Sequence, residues 1–234
     1  METRELSYSH VIPEFLYTEM YDEKHRFHVL STKTPEKPRH QQKGIRERLL
    51  CADCETKLSV AERYVSLILS GQVPIHTARN GDLVEVQGLD YEKFRLFGLS
   101  ILWRAHIASH AFFKEVDLGH HAEPIRDFLA RGDPGPPHKY GFFLSPLVMG
   151  DKDVTDLIVE PTKSRLGAHR CYRFVFGGLI WVFAVSSHRA PSVFDSAFID
   201  LNGRMLMLVS DLREVKFLRD TMERAVAKAK KNAF

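Results

Sequence analysis

The spacing of apolar residues changes at the turn-forming segment RGDPGPP of residues 131–137. Before this segment, apolar residues recur at helical spacing in residues 58–69 and 94–112, which is the pattern of amphipathic or buried helices. After it, apolar residues alternate with polar ones or form short runs, as they do in strands. The change predicts an α+β fold in which central buried helices precede an antiparallel sheet.

Six segments of the second half have the composition of strands: 142–148, 157–160, 172–176, 180–185, 198–201 and 205–209. The pairs Gly177-Gly178 and Asn202-Gly203 separate consecutive candidates, and both tolerate the positive φ of a tight hairpin turn. We therefore expect an antiparallel sheet of about five or six strands. Beyond residue 210 the apolar spacing becomes helical again, which predicts a final helix.

The chain has 234 residues, of which 44% are hydrophobic and 27% charged, and its formal net charge is +3. These values exclude disordered and collagen-like chains, and three cysteines are too few for a disulfide scaffold. We expect a boundary between segments 1–72 and 73–234, or one continuous fold of the two. The start, METRELSYSH, lacks the apolar core of a signal peptide, so we expect a cytoplasmic protein without a membrane partner.

Residues 22–43 are polar and contain two prolines, and they predict a long loop with a short strand at 27–30. Five basic residues lie in and just after this loop: Lys37, Arg39, Lys43, Arg46 and Arg48. Basic side chains of this kind bind the phosphate backbone of nucleic acid. Because Glu36 and Glu47 lie among them, a solvated loop of mixed charge is the alternative interpretation.

Cys51 and Cys54 form a C-x2-C pair before an apolar helical pattern. Such a pair on a tight turn supplies half of a tetrahedral zinc site, because the turn directs both thiolates at one ion. The remaining ligands would come from Cys171 or from the loop histidines His25, His28 and His40. The alternative is that both thiols are unligated and lie near the start of a helix.

The segments SHVIP of residues 9–13 and LLCADCE of residues 49–55, followed by an amphipathic helix, resemble the HNH or ββα-metal nuclease superfamily and its treble-clef zinc scaffold. More narrowly, the chain resembles a group of bacterial proteins that share SHIIP-F, LLCxxCE and a central LDY…LSILWRA helix. The superfamily resemblance covers about residues 8–70. The narrower resemblance covers most of the chain and implies no settled activity.

The resemblance implies a role for four positions. His10 takes the place of the general base that activates water, and Arg46 stands where the family has an asparagine that orients this base. Glu55 stands where a histidine binds the catalytic metal, and Ser9 where an aspartate or histidine does. The implied metal residues are His10, Cys51, Cys54 and Glu55, with a structural Zn²⁺ and, for catalysis, Mg²⁺ or Mn²⁺.

Two functions are therefore expected as alternatives. The first is a metal-dependent endonuclease in which His10 is the general base and Glu55 helps to hold the ion. The second is a catalytically degenerate HNH-like module that binds nucleic acid or a protein partner, in conflict between bacteria and phage. Motifs for nucleotide-phosphate binding and for serine hydrolases do not occur in the sequence.

Two further pairs of histidines are interpreted as structural. His106 and His110 lie four residues apart on the predicted central helix and share one of its faces. Because no glutamate lies between them, the metalloprotease pattern is not met, and we expect bonds to backbone or to Arg104. His120 and His121 are expected in a solvated loop.

Overall fold

The computed structural model describes residues 5–31, 39–186, 188–189 and 192–231 of the chain. In these residues the α-helices are α1 (Ala52–Leu69), α2 (Tyr91–Ile107), α3 (Ala122–Arg131) and α4 (Lys216–Lys231). The strands are β1 (Ser7–His10), β2 (Phe27–Leu30), β3 (Arg39–Gln41), β4 (Arg46–Leu50), β5 (His76–Asn80), β6 (Leu83–Gln87), β7 (Phe142–Met149), β8 (Lys152–Asp153), β9 (Leu157–Leu166), β10 (His169–Phe176), β11 (Leu179–Val185), β12 (Met205–Leu208) and β13 (Ser210–Asp211). The α+β prediction is confirmed.

Helices α1, α2 and α3 pack against one another. Asp90 caps α2 by accepting a hydrogen bond from the backbone N–H of Lys93 at 3.0 Å, as a residue at the start of a helix should. The helix ends at Ile107 rather than near residue 113, because the His110 side chain accepts from Phe112 N and begins a separate 3-10 turn.

Among the described residues, no helix combines the length and the apolar character that crossing a membrane requires.

A large sheet forms the centre of the fold, with strand order β13-β7-β11-β10-β9-β2-β3 and with β8 paired to β7. Gly177 and Gly178 have φ angles of 58° and 72° and close the β10–β11 hairpin, as the sequence predicts. Two of the pairings are parallel, β2 with β9 and β13 with β7. Strands from the first forty residues therefore join the sheet of the second half.

The predicted strand at 198–201 and the hairpin after it are wrong. Residues 198–204 are irregular, and β12 pairs with β6 in a separate sheet of order β12-β6-β5. The reason lies at Gly203, whose backbone packs so closely on Leu89 that an added Cβ would lie 1.8 Å from the Leu89 carbonyl oxygen. The turn therefore docks on the segment between β6 and α2 instead of closing a hairpin.

The two faces of the large sheet bury different clusters. One face packs against the helices and carries the main core, in which Phe97 of α2 contacts Trp181 of β11. The other face is covered by the start of α4, where Leu218 packs with Leu147, Val175 and Ile180. The main core runs from Val11 to Met205 in the sequence, so both halves of the chain contribute to it.

The RGDPGPP segment is held in place by Arg95 of α2. The guanidinium is buried and donates to the carbonyl oxygens of residues 134, 136, 137, 139 and 140. Burial lowers the pKa of Arg95. Its bonds supply the turn with donors that water would otherwise provide, which explains how a proline-rich break between helices and sheet has one conformation.

A glycine sets the distance between α2 and the large sheet. An added Cβ at Gly98 would lie 2.3 Å from the ring of Phe142. Alanine favours a helix interior over glycine by about 1 kcal/mol, but overpacking of a core costs typically 1–3 kcal/mol. Because the approach to the Phe142 ring is as close as 2.3 Å, we take the upper part of the overpacking range. After subtraction of the helix gain, we expect Gly98→Ala to lower the free energy of unfolding by about 1–2 kcal/mol, measured by urea denaturation.

The matched control is Ser59→Ala on the exposed side of α1, which changes helix propensity without a steric clash. We expect its free energy of unfolding to stay within about 0.5 kcal/mol of the wild type. A Gly98→Ala protein as stable as the wild type would show that α2 and the large sheet can move slightly apart at this contact at no cost in stability.

Candidate nucleic-acid interface

Strands β1 and β4 form a two-stranded antiparallel ribbon that leads directly into α1. In its register Tyr8 lies opposite Arg48, Ser9 opposite Glu47, and His10 opposite Arg46. Residues directly opposite in a ribbon share a face, and successive residues alternate between faces. Tyr8, His10, Arg46 and Arg48 therefore lie on one face of the ribbon, which we call the ribbon face. Ser9 and Glu47 lie on the reverse.

The centre of the ribbon face is an exposed tyrosine between two arginines. Tyr8 is 64% exposed. The guanidinium carbon of Arg48 lies 5.1 Å from its ring centroid, and that of Arg46 lies 5.9 Å away, both within the range of cation–π attraction. Arg48 Nη1 also donates to the Leu6 carbonyl at 3.1 Å. These contacts hold an aromatic ring and two positive charges side by side in solvent.

His10, at the end of β1, is oriented by two further side chains. Its Nε2 lies 2.8 Å from Oε2 of Glu14, whose Oε1 accepts a hydrogen bond from the Tyr21 hydroxyl at 2.8 Å. Desolvation and the neighbouring Glu14 raise the pKa of Tyr21 to about 12. Gly44 leaves room for Glu14, since an added Cβ there would lie 2.9 Å from its Oε2. The imidazole is thus fixed at the edge of the ribbon face.

The reverse face of the ribbon is bound to the helices. Ser9 is buried, and its hydroxyl donates to Oε1 of Glu55 in the first turn of α1. Ser9 and Glu55 stand at two positions where the HNH resemblance implies ligands of the catalytic metal. The structure brings these two positions together, but as a hydroxyl that is hydrogen-bonded to a carboxylate. Each of these two side chains therefore serves as the hydrogen-bond partner of the other.

Glu47 fastens the ribbon to the segment that follows α2. Its carboxylate accepts hydrogen bonds from the backbone N–H groups of Ser109 and His110 and from the Ser109 hydroxyl. Partial burial alone would raise the pKa of Glu47, but these bonds and the nearby His110 hold it below its usual value of 4.5. Its charge is therefore satisfied on the reverse face.

The buried guanidinium of Arg104 connects β1 to two helices. Arg104 of α2 is 1% exposed; its Nη1 donates to the His10 carbonyl at 2.7 Å, and its Nη2 lies 2.6 Å from Glu62 Oε1 of α1. The same Nη2 reaches the Ser100 hydroxyl at 3.1 Å. Breaking a buried pair of this kind leaves an uncompensated charge, so these bonds fix the end of β1.

The three cysteines have different surroundings. Cys51 is half-buried at the cap of α1, and Cys54 is exposed in its first turn. Cys171 is buried on β10 with Ala184 and Phe198, and burial raises its pKa to about 11. Of the loop histidines, His25 stacks on Tyr21, whereas the side chains of His28 and His40 are outside the described part of the chain.

The metal predictions concern His10, Cys51, Cys54 and Glu55. Among the described residues, no group of three or more histidine, cysteine, aspartate and glutamate side chains is placed to hold an ion. His10, Cys51, Cys54 and Glu55 thus do not form one ligand set there, and a tetrahedral zinc needs four ligands. Binding of Zn²⁺, Mg²⁺ or Mn²⁺ therefore stays a prediction from the sequence.

The five predicted basic residues have different positions. Arg46 and Arg48 belong to the ribbon face, and Lys43 is exposed just before β4. Arg39 is in β3, but its side chain is not described, and Lys37 lies outside the described residues. The orienting role that the resemblance implies for Arg46 is not seen, since Glu14 and not Arg46 is the hydrogen-bond partner of the His10 ring.

The two further histidine pairs of the sequence differ in their partners. His106 Nδ1 lies near Val116 O and accepts from Leu118 N, and His110 Nδ1 accepts from Phe112 N, as the structural interpretation expects. The solvated-loop prediction is wrong for His121, which is 7% exposed. Its Nδ1 lies 3.2 Å from the Tyr140 hydroxyl, and burial lowers its pKa.

Comparison of the chain with protein-family models, with curated proteins and with solved structures found no match. The candidate site therefore rests on its own geometry. Tyr8, Glu14 and Tyr21 were missed by the sequence analysis. One signal could have found Tyr8, because Tyr8 and His10 are two residues apart, as on one face of a strand. Glu14 and Tyr21 follow the end of β1 in irregular and 3-10 segments, so no periodic pattern marks them.

The hydrogen bonds of Glu47 generate a pH-dependent prediction. A carboxyl whose pKa is lowered by folding contributes stability above its unfolded pKa and loses it as pH falls through the folded pKa. We expect Glu47→Gln to reduce the free energy of unfolding by about 1 kcal/mol at pH 7. The difference from wild type should shrink as pH falls below about 4.5, measured by urea denaturation across a pH series.

Glu92→Gln, on the exposed side of α2, removes a negative charge without these hydrogen bonds and serves as the control. A Glu47→Gln effect that is the same at pH 3 and pH 7 would contradict the assigned charge-dependent role.

Proposed function

We propose that the protein binds single-stranded nucleic acid on its ribbon face. The observation that carries this proposal is the exposed Tyr8 ring flanked by the guanidinium groups of Arg46 and Arg48. An exposed aromatic ring stacks on unpaired bases, and arginines beside it meet the phosphates of the same strand. A single strand is favoured over a duplex because only unpaired bases offer their faces for stacking.

The charge distribution supports the proposal. A chain with a net charge of +3 needs a local concentration of positive charge to attract a phosphate backbone. Glu47, which follows Arg46 in sequence, is turned to the reverse face and bound by Ser109 and His110. Lys43 is exposed at the start of the ribbon. Glu47 is thus removed from the ribbon face, while Glu5 approaches Arg48 at 3.8 Å and Glu14 contacts His10 at the edge of this face.

The HNH-like scaffold remains part of the proposal. Two antiparallel strands followed by a helix, here β1, β4 and α1, are the order that the resemblance implies. The contact of Ser9 with Glu55 favours the binding module over the metal enzyme, because these positions satisfy each other. The proposal assumes a cytoplasmic protein that meets nucleic acid there, and conflict between bacteria and phage is the setting that the resemblance suggests.

We expect Tyr8→Ala to weaken binding of a fluorescent single-stranded oligonucleotide about tenfold or more, since stacking is worth about 1–3 kcal/mol per base. Tyr8→Phe keeps the ring and should bind nearly as the wild type does. Arg48→Gln should weaken binding and reduce the slope of log affinity against log salt, because one phosphate contact is lost. Fluorescence anisotropy over a salt series measures all three.

The matched control is Arg79→Gln on β5, an exposed arginine outside the ribbon, which should leave the affinity and the slope nearly unchanged. If the wild type binds neither RNA nor DNA at low salt, the proposal is wrong and a protein partner becomes the better alternative. Equal losses in Tyr8→Ala and Tyr8→Phe would refute the stacking role.

A second candidate function is endonuclease activity with His10 as general base. The observation that favours it is the chain of contacts from His10 to Glu14 to Tyr21 at the edge of the ribbon face. A carboxylate that holds one imidazole nitrogen orients the ring and supports its uptake of a proton. Arg46, opposite His10 in the ribbon, is placed to contact a phosphate.

For this candidate we expect His10→Ala to reduce cleavage of single-stranded RNA or DNA at least about a hundredfold, the range of general base catalysis, with binding affinity little changed. Glu14→Gln should reduce cleavage less. The assay compares Mg²⁺, Mn²⁺, Zn²⁺ and a chelator, which also tests the metal predictions. Cleavage by His10→Ala at the wild-type rate would exclude His10 as the base; binding without any cleavage would leave the degenerate module.

A further inference from the structure

The second face of the large sheet carries a cavity between two apolar clusters. One cluster joins Val175 and Ile180 to Leu218 at the start of α4, and the other joins Cys171 and Ala184 to Phe198. Between them lies a cavity of about 400 Å³, which is within the usual size range of small-molecule sites. It lies on the face of the sheet that does not pack on α1, α2 and α3.

The wall of the cavity is mostly apolar. Aliphatic and aromatic side chains line it: Phe143 and Val182 from the large sheet, Met207 from β12, Phe194 from the segment before β12, Val215 just before α4, and Phe217 in α4. Three serines, Ser145, Ser196 and Ser210, also line the cavity. The Ser145 hydroxyl donates to the Leu208 carbonyl at 2.5 Å and lies 2.7 Å from the Ser210 hydroxyl. The body of a ligand must therefore be apolar, since few polar groups remain to bind it.

Arg173 supplies one positive charge to this apolar wall. Its contacts among the described residues are a hydrogen bond from Nε to the Thr162 hydroxyl at 3.3 Å and the ring of Phe217, 4.0 Å from the guanidinium carbon. Burial lowers its pKa. Arg173 is half-buried, and among the described residues no carboxylate forms an ion pair with its guanidinium. A guanidinium held in this way retains donors for an anion.

We propose that this cavity binds a small amphipathic carboxylate, with its headgroup on Arg173 and its apolar body between the two clusters. Arginine binds carboxylates through paired N–H donors, and Phe217 holds the guanidinium plane from one side. The mostly apolar wall favours an alkyl chain over a sugar or a base, because such polar ligands would lose more hydrogen bonds to water than a few serine hydroxyls can replace. The proposal is independent of the ribbon face, which belongs to a different part of the chain.

The test uses the wild-type protein and three ten-carbon probes, decanoate, decanol and decyltrimethylammonium, below their micelle concentrations. Isothermal titration calorimetry should give one site for decanoate. Decanol should bind about tenfold more weakly, because it lacks the charge-assisted hydrogen bond to Arg173; tenfold in Kd corresponds to about 1.4 kcal/mol. The cation should bind weakest. No binding of decanoate, or equal binding of all three probes, would overturn the proposal without any variant.

Variants then locate the site. Arg173→Met should reduce decanoate affinity to that of decanol, and Arg173→Lys should keep most of the preference for the anion. Ala197→Phe fills the cavity and should abolish binding of both probes. The control Arg165→Met removes an exposed charge from β9 and should change neither affinity. Decanoate binding that survives both Arg173→Met and Ala197→Phe would place the ligand elsewhere and overturn the assignment.

Discussion

The buried ion pair of Arg104 is the constraint on which the candidate interface depends. A guanidinium that is 1% exposed is stable only when its donors are satisfied and its charge is compensated. Here the charge is balanced by Glu62 of α1, and a further donor reaches the backbone of His10. The pair therefore fixes three things together: the packing of α1 on α2, the end of β1, and the position from which the His10 side chain projects.

The reverse face of the ribbon is hydrogen-bonded to the rest of the fold, whereas the ribbon face is exposed to solvent. On the reverse face, Ser9 is hydrogen-bonded to Glu55 and Glu47 to the segment after α2. On the ribbon face, Tyr8, Arg46 and Arg48 are exposed. The chain between β1 and β4 adds a second anchor, because β2 pairs with β9 of the large sheet. A ribbon anchored at several places presents its exposed ring and charges in a fixed arrangement, which reduces the ordering cost of binding.

Local patterns predicted the helices and the central strands, because helical period and glycine turns act over a few residues. Pairings between distant segments were not predictable in the same way. Phe198 and Ile199 have the composition of a strand but are buried by packing in an irregular segment, and β12 pairs with β6, far earlier in the chain. Burial alone produces an apolar run, so the pattern cannot tell packing from strand pairing.

The same limit explains the candidate site. His10, Arg46 and Arg48 were recognised singly, but their common face with Tyr8 depends on the register of two strands more than thirty residues apart. A slip of one residue would move Arg46 and Arg48 to the reverse face and Glu47 into solvent. The bonds of Glu47 to Ser109 and His110 oppose that slip, since it would leave its carboxylate without these donors. Glu47, the carboxylate that lies between the two arginines in the sequence, is thus held away from them on the opposite face of the ribbon.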